Sequence, residues 1–229
     1  MTCPVCDDLT STLNSRLTDI AYPEGEKLPP NLPNPRDDGA CDHLKIGEPK
    51  VSSIALTSTS EETVDLSSLP GVTVLFCYAR MGALGEHICK AWDAIPGARG
   101  CTPQACSFRD AVADLQGKGV NRIFGLSTQS TEQQRALRER LGLPYALLSD
   151  KGSAFIERMR LPVFTWGKVK LLKRVMMLLV DGDIVWVHYL VFPADESANA
   201  VVAYLESEEW QQLVASRLER QGIRRCGNE

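Results

Sequence analysis

The chain has 229 residues, with 25 basic and 29 acidic side chains, and its formal net charge is −4. This balance gives no reason to expect nucleic acid or a membrane surface as a partner. The longest apolar run, residues 175–180, is far shorter than the roughly 20 residues of a membrane-spanning helix, and the composition is that of a globular protein with a core.

Residues 1–49 predict a helix followed by an extended arm. Apolar residues at helical spacing favour an amphipathic helix over residues 4–19. Residues 23–49 are rich in Pro, Asp and Gly, which is typical of an arm across a domain surface or of a linker. Acidic residues stand where the apolar stretch of a secretory signal would lie, so we expect a cytoplasmic protein with reduced thiols. Its eight cysteines then indicate metal binding, catalysis or small core residues.

Residues 50–206 predict an α/β domain with a central mixed sheet flanked by helices. Buried or alternating apolar runs predict strands over residues 51–58, 63–66, 72–78, 120–126, 145–148, 171–180 and 184–188. Helical periodicity predicts helices over residues 102–116, 132–141, 153–159, 197–205 and 210–218, the last in a helical extension over 207–229. Asp181-Gly182 predicts a two-residue hairpin turn.

Residues 96–110, PGARGCTPQACSFRD, form the segment with the strongest chemical pattern. Its glycines permit a tight backbone path. Thr102 can cap a helix, and Pro103 suits the first helical position. We therefore expect Cys101 at or just before a helix N-terminus, where free N–H groups and the helix dipole favour a thiolate.

Cys106 follows Cys101 five residues later. On a regular helix their Cα atoms would be about 8–9 Å apart, whereas a disulfide needs about 4.4–6.8 Å. A bond between the two sulfurs therefore requires the first turn to unwind. Position 101 shares the face of Ala105, Phe108 and Val112, whereas position 106 points elsewhere. The thiol of Cys101 would therefore face a pocket, and that of Cys106 would lie outside it. The alternative is that both cysteines are small helix residues.

The string GCTPQACSFRD resembles the active-site motif of the Q-type peroxiredoxins, also called bacterioferritin comigratory proteins. The resemblance extends over residues 47–205 and includes VTVLFCY before the motif and FGLSTQS and LPYALLSD after it. It implies a thioredoxin-like fold and a peroxidase without a metal or organic cofactor. It also implies that Cys101 attacks the peroxide and that Cys106 resolves the product. The implied partners are a hydroperoxide and a thioredoxin-like or small-thiol reductant, and the chain would be a monomer or homodimer.

Arg174 is a further candidate for the site. Strand alternation sends Lys173 and Arg174 to opposite faces, so one charge must face the interior, where charges are rare unless paired. In the resembling family an Arg on the equivalent strand contacts the peroxidatic sulfur and the peroxide. A guanidinium lowers the pKa of a neighbouring thiol and donates hydrogen bonds to the departing oxygen. The alternative is an Arg at the rim of an edge strand.

Two alanines depart from the family pattern. Ala94 and Ala98 stand where the family usually has Pro and a hydroxyl residue, so Thr102 or a backbone group would have to replace the lost hydroxyl. The segment of residues 79–100 is also longer than the family norm. These departures leave two alternatives open: a thioredoxin-fold protein repurposed for a biosynthetic transformation, and a thiol redox sensor.

Three other cysteine positions are weaker candidates. Cys3 and Cys6 form a C-x-x-C, which is a second redox pair, half of a zinc site or an incidental feature of a chain end. Cys77 lies in a predicted buried strand and is expected to be a core residue.

Overall fold

The strands and helices follow the predicted alternation along the chain. The protein structure, a computed structural model, describes residues 31–45, 49–83, 86 and 90–220. In these ranges the strands are β1 (Ala55–Ser58), β2 (Thr63–Asp65), β3 (Val72–Cys77), β4 (Val120–Ser127), β5 (Ala146–Ser149), β6 (Val163–Trp166), β7 (Val169–Leu172), β8 (Val175–Val180) and β9 (Asp183–His188). The helices are α1 (Lys90–Asp93), α2 (Cys101–Asp110), α3 (Val112–Gly117), α4 (Thr131–Leu141), α5 (Ala154–Met159), α6 (Ser197–Leu205) and α7 (Glu208–Arg220).

A seven-stranded mixed sheet forms the centre of the described part of the chain, in the order β2-β1-β5-β4-β3-β8-β9. Parallel pairing joins β3 to β4 and β4 to β5, and the other neighbours are antiparallel. β6 and β7 form a separate two-stranded antiparallel sheet. The predicted central mixed sheet is therefore confirmed, although β6 and β7 lie outside it.

The hairpin between β8 and β9 turns at the predicted dipeptide. Asp181 and Gly182 both have positive φ, 53° and 83°, as a two-residue turn between antiparallel strands requires. β8 also pairs along the whole of β3, with Val175 opposite Cys77 at the end nearest the candidate site. The prediction of the turn is confirmed.

Two predicted elements are divided in the structure. The predicted strand over residues 171–180 is interrupted after Leu172, because β7 belongs to the small sheet and β8 to the large one. The predicted helix over residues 102–116 is interrupted at Ala111, where φ and ψ are −98° and 3°. Phe108 of α2 and Leu115 of α3, on either side of the break, both reach the core and have no exposed surface.

The core lies on both faces of the central sheet. Alternate residues of β3 point to opposite faces, so Val74 and Phe76 belong to one buried cluster and Leu75 and Cys77 to the other. The first cluster includes residues of α2, α3, α4, α6 and α7, and the second includes residues of α5. Helices therefore flank both faces, as predicted, and Cys101 belongs to the first cluster.

Residues 31–45 pack against the second cluster. Cys41 and Leu44 are 0% and 3% exposed and belong to that cluster. The predicted helix over residues 4–19 lies outside the described residues, and the boundary at residue 50 stays a prediction. At the other end, α7 contributes Trp210, which is 9% exposed, to the first cluster. No helix among the described residues is both long and apolar enough to cross a membrane.

Candidate active site

Cys101 is the first residue of α2 and follows a glycine in a left-handed conformation. Gly100 has φ 107° and ψ 15°, which residues with a Cβ rarely adopt. Its carbonyl accepts a hydrogen bond from the N–H of Gln104 over 3.0 Å. The predicted place of Cys101 at a helix N-terminus is confirmed. The prediction that Thr102 caps the helix is wrong, because the helix already includes position 101 and its N-cap residue is Gly100, which has no side chain.

The thiol of Cys101 contacts a cation and a carbonyl group. The residue is buried, with 4% of its surface exposed. Nη2 of Arg174 donates a hydrogen bond to Sγ over 3.2 Å, and the thiol lies 3.7 Å from the carbonyl oxygen of Ala98. The guanidinium therefore lies where it stabilises negative charge on the sulfur.

The backbone that precedes α2 holds the guanidinium of Arg174. Its Nη1 donates to the carbonyl of Gly97, and its Nη2 donates to the carbonyls of Ala98 and Arg99 over 3.2 and 2.7 Å. Among the described residues no carboxylate pairs with this side chain, which is 4% exposed. A buried cation with neutral partners favours an anion beside it. The sulfur of Cys101 is the partner that can become one.

Arg174 does not lie in a strand. It follows Lys173 in the two-residue link between β7 and β8, so the prediction of a strand residue is wrong. The N–H of Lys173 donates to the carbonyl of Pro162 over 2.8 Å, one step beyond the Val163–Leu172 pair, so Lys173 still follows the register of the small sheet. The prediction that one of the two charges faces inward is confirmed, since Arg174 is buried and Lys173 pairs with Asp38 over 2.6 Å.

Cys106 lies one turn further along α2 and is half-buried. Burial raises the pKa of its thiol, and the guanidinium of Arg109 opposes this effect. Cys101 and Cys106 are both free thiols, and both lie within the same continuous helix. The structure is therefore that of the reduced form, with one thiol buried against Arg174 and the other nearer to solvent.

The hydroxyl that the motif lacks at position 98 is not supplied by a neighbouring side chain among the described residues. Ala98 is 1% exposed, and only its backbone carbonyl reaches the guanidinium and the thiol. Thr102 is half-buried in the first turn of α2. Its side chain has no hydrogen bond to Cys101 or Arg174. The groups that the described residues place around the cation are therefore backbone carbonyls, which accept hydrogen bonds and do not donate them.

Side chains that were not among the predicted site residues hold the long segment before the motif. The amide of Gln129 accepts from the N–H of Met81 over 2.9 Å and donates to its carbonyl over 3.0 Å. Arg140 donates to the carbonyl of Gly82 over 2.8 Å. The resemblance of the loop FGLSTQS to the family pattern was the only indication in the sequence for Gln129. The carbonyl groups of residues 97–99 have no sequence signature at all.

An aromatic cluster joins this segment to the small sheet. Trp92 of α1 is 7% exposed, and its ring lies 5.9 Å from that of Phe164 and 5.4 Å from that of Trp166, both in β6. The guanidinium of Arg80 lies 6.0 Å from the Trp92 ring. The segment of residues 79–100 therefore packs, through Trp92 of α1, against the hairpin that precedes Arg174.

The remaining cysteine predictions have different outcomes. Cys77 is fully buried in β3, as expected of a core residue. Cys3 and Cys6 lie outside the described residues. Within the described ranges no group of His, Cys, Asp and Glu side chains has the arrangement of a metal site.

The sequence profile described as redoxin matches residues 40–203. The chain belongs to the redoxin family. A relative in Coxiella burnetii, "Putative peroxiredoxin bcp", is 37% identical over 116 residues, which are 50% of this chain and 66% of that protein. "Peroxiredoxin Q, chloroplastic" of Sedum lineare is 35% identical over 68 residues, 30% of this chain and 36% of that protein. The chain thus spans less than two thirds of the length of these two redoxin relatives.

Solved structures of redoxin relatives show the fold. "Peroxidoxin BcpB" from Mycobacterium tuberculosis superposes with a TM-score of 0.57 at 24% identity, covering 69% of this chain and 94% of that one. "Peroxiredoxin Q" from Xanthomonas campestris gives 0.56 at 20% identity, covering 69% and 93%. The predicted thioredoxin-like fold is therefore confirmed.

Proposed function

We propose that this chain is a thiol-dependent peroxidase in which Cys101 attacks a hydroperoxide and Cys106 resolves the product as an intramolecular disulfide. The contact of 3.2 Å between Nη2 of Arg174 and Sγ of Cys101 supports this function most strongly. It places a permanent cation beside a cysteine at the start of a helix. Membership of the redoxin family agrees with this chemistry.

In the first step the thiolate of Cys101 attacks the terminal oxygen of H2O2 or of an alkyl hydroperoxide. The O–O bond breaks, the sulfur is oxidised to a sulfenic acid, and the departing oxygen takes a proton and leaves as water or alcohol. The guanidinium of Arg174 is a permanent cation. Its charge therefore stabilises the thiolate before the reaction and the departing oxygen during it. The step needs no metal or organic cofactor.

In the second step the thiolate of Cys106 attacks the sulfenic sulfur. A sulfur–sulfur bond forms, and hydroxide leaves and is protonated to water. Helix geometry keeps the two Cα atoms about 8–9 Å apart, beyond the roughly 4.4–6.8 Å of a disulfide. The first turn of α2 must therefore unwind. Since burial raises the pKa of the Cys106 thiol, unwinding would also favour its thiolate by exposing it to water.

In the third step a reductant restores both thiols. A thiolate of a thioredoxin-like protein or a small thiol attacks one sulfur of the disulfide and forms a mixed disulfide. A second thiol of the reductant then releases the reduced chain and is itself oxidised. Cys106, the less buried of the two thiols in the reduced form, is the sulfur that we propose the reductant attacks first.

The test is to mix the reduced protein with H2O2 in a stopped-flow instrument and then to add thioredoxin, its reductase and NADPH. Wild type should turn over. Cys101→Ser should lose peroxide reduction, whereas Cys106→Ser should be oxidised once and then stall or depend on external thiol. Equal steady activity of Cys101→Ser and wild type would contradict the proposal.

The same measurement separates the two alternatives. A redox sensor would be oxidised rapidly at Cys101 and would not turn over with a general reductant. A protein repurposed for another transformation would hardly react with peroxide at all. Ala94 and Ala98, which stand where the family usually has Pro and a hydroxyl residue, motivate this second alternative.

A further inference from the structure

We propose that Asp38 is a positioning residue for the thiol site: through Lys173 it fixes the short link that bears Arg174, and so it sets the place of the guanidinium beside Cys101. The importance of this role for catalysis rests on the proposed function. The evidence for the role itself consists of contacts made by residues 31–45, a segment outside the motif.

The carboxylate of Asp38 joins separate parts of the chain. Its Oδ2 accepts a hydrogen bond from Nζ of Lys173 over 2.6 Å. Its Oδ1 accepts from the hydroxyl of Tyr189, directly after β9, over 2.8 Å. Lys173 and Tyr189 lower the pKa of Asp38 to about 2, so the side chain is an anion at neutral pH. One carboxylate therefore ties the segment of residues 31–45 to the link and to the end of β9.

The link is too short for the backbone of Lys173 to move independently of that of Arg174. It lies between Leu172 of β7 and Val175 of β8 and has two residues. Adjacent Cα atoms are about 3.8 Å apart, and the two side chains point to opposite sides, one to Asp38 and one to Cys101. A rotation of the link that releases Lys173 would therefore also turn the guanidinium away from the sulfur.

A second contact brings the same segment to the carbonyl groups that hold the guanidinium. Pro35 lies against Gly97, such that a Cβ on Gly97 would be 3.5 Å from Cβ and Cγ of the proline ring. Gly97 supplies one of the carbonyls that accept from Arg174. Residues 31–45 thus reach the surroundings of the site at two points: Pro35 contacts Gly97, and Asp38 contacts Lys173.

Two of the titratable groups around Asp38, Cys41 and Tyr189, keep one charge state over the pH range in which Cys101 is tested. Lys173 and Tyr189 face the carboxylate from other elements, and Asp37 and Cys41 lie near it in its own segment. Burial raises the pKa of Cys41 to about 12, and burial together with the nearby Asp38 carboxylate raises the pKa of Tyr189. Neither Cys41 nor Tyr189 therefore changes its charge between pH 5 and 9, the range over which the experiment below is carried out.

The experiment measures the rate at which iodoacetamide alkylates Cys101 across this pH range, with mass spectrometry of the peptide that contains it. Asp38→Asn removes the charge and keeps the shape. Asp42→Asn is the matched control, because Asp42 lies in the same segment and pairs with Lys45, over 2.9 Å, and not with Lys173. We expect Asp38→Asn to slow alkylation at neutral pH about five- to tenfold, as weakening one charge-assisted hydrogen bond would, and to move the profile to higher pH.

Two further variants separate positioning from a general loss of structure. Asp38→Glu keeps the charge and should restore most of the rate. Lys173→Met should reproduce the effect of Asp38→Asn, and the double variant should be no slower than either single one, because both act through one contact. If Asp38→Asn folds poorly, Lys173→Met tests the same contact from its other end.

The proposal is overturned if Asp38→Asn and Lys173→Met both leave the profile of Cys101 unchanged, or if Asp42→Asn slows alkylation as much as Asp38→Asn. Peroxide consumption by wild type is measured in parallel. If wild type consumes no peroxide but the alkylation profiles differ as expected, the proposed function fails and the positioning role of Asp38 stands. If peroxide is consumed and the profiles coincide, the reverse holds.

Discussion

The hydroxyl of Tyr145 donates a hydrogen bond of 2.6 Å to the carbonyl oxygen of Ala105, which lies between the two cysteines of α2. Both residues are buried, with 7% and 0% of their surfaces exposed. This carbonyl belongs to the turn that must unwind before Cys101 and Cys106 can form a bond. Tyr145 therefore stabilises the helical, reduced form relative to the unwound, oxidised form.

Replacing Tyr145 with Phe should accelerate the resolving step. A buried hydrogen bond contributes about 1 kcal/mol, which corresponds to about a fivefold change in rate if the bond is lost before the transition state. The second phase of the fluorescence change after mixing with H2O2 measures this step. Tyr204→Phe is the control, since the Tyr204 hydroxyl lies 3.4 Å from the carbonyl of Val185 and not on α2. An unchanged second phase in Tyr145→Phe would show that Ala105 does not move during resolution.

Oxidation should loosen the start of α2. A regular helix holds Cys101 and Cys106 too far apart for a disulfide, so the oxidised form must lose helical hydrogen bonds. Amide hydrogen exchange at residues 105–108 should therefore be faster in the oxidised than in the reduced protein, while α4, which carries neither cysteine, serves as the internal control. The idea is refuted if protection is equal in a sample shown by mass spectrometry to contain the 101–106 bond.

A hydroxyl at position 98 should speed the oxidation of Cys101. Ala98→Thr and Ala98→Val add similar volume at a position that is 1% exposed, so both carry a similar overpacking cost of about 1–3 kcal/mol. Only Thr adds a hydrogen-bonding group. A bond of about 1–3 kcal/mol made mainly in the transition state would make Thr faster than Val by a factor of about 5 to 150. Stopped-flow oxidation compares the two, and equal rates would mean that Thr102 or the backbone already fills this role.

The contribution of Asp38 to stability should depend on pH in the acidic range. Its folded pKa is lowered from 3.8 to about 2, chiefly by Lys173 and Tyr189. The unfolded chain therefore binds the proton more readily, so the stabilisation is present above the ordinary value and is lost as the pH falls through the folded one. The difference in Tm between wild type and Asp38→Asn should be largest above about pH 4 and should close toward pH 2. A difference that stays constant over this range would contradict the assignment.

The sequence predicted the elements that local patterns determine. The buried run of β3 and the turn at Asp181 and Gly182 depend on continuous apolar residues and on positive φ, and both occur where predicted. The place of Cys101 at the start of a helix was also predictable, because the glycines and Pro103 around it favour one. The cap was assigned to the wrong residue because only the structure shows that Gly100 has a positive φ.

The rest of the site depends on tertiary contacts that no local pattern contains. Alternation predicted that Lys173 and Arg174 would diverge, but not that they would lie in a link between two sheets. The predicted strand over residues 171–180 is interrupted there because β7 pairs with β6 in the small sheet. The role of Asp38 could not be predicted for the same reason, because Asp38 and Lys173 are 135 positions apart in the chain.

The geometry of the thiol site depends on the register in which β8 pairs with β3 in the central sheet. Val175, directly after Arg174, lies opposite Cys77, so the position of the guanidinium along the strand axis is fixed by that alignment. A slip of one residue would shift β8 by about 3.4 Å and exchange the faces of its side chains. Such a chain would still have a sheet and a core, but Cys101 would have lost its cation. Rapid oxidation of Cys101 would therefore identify molecules in which β3 and β8 have found their correct partners.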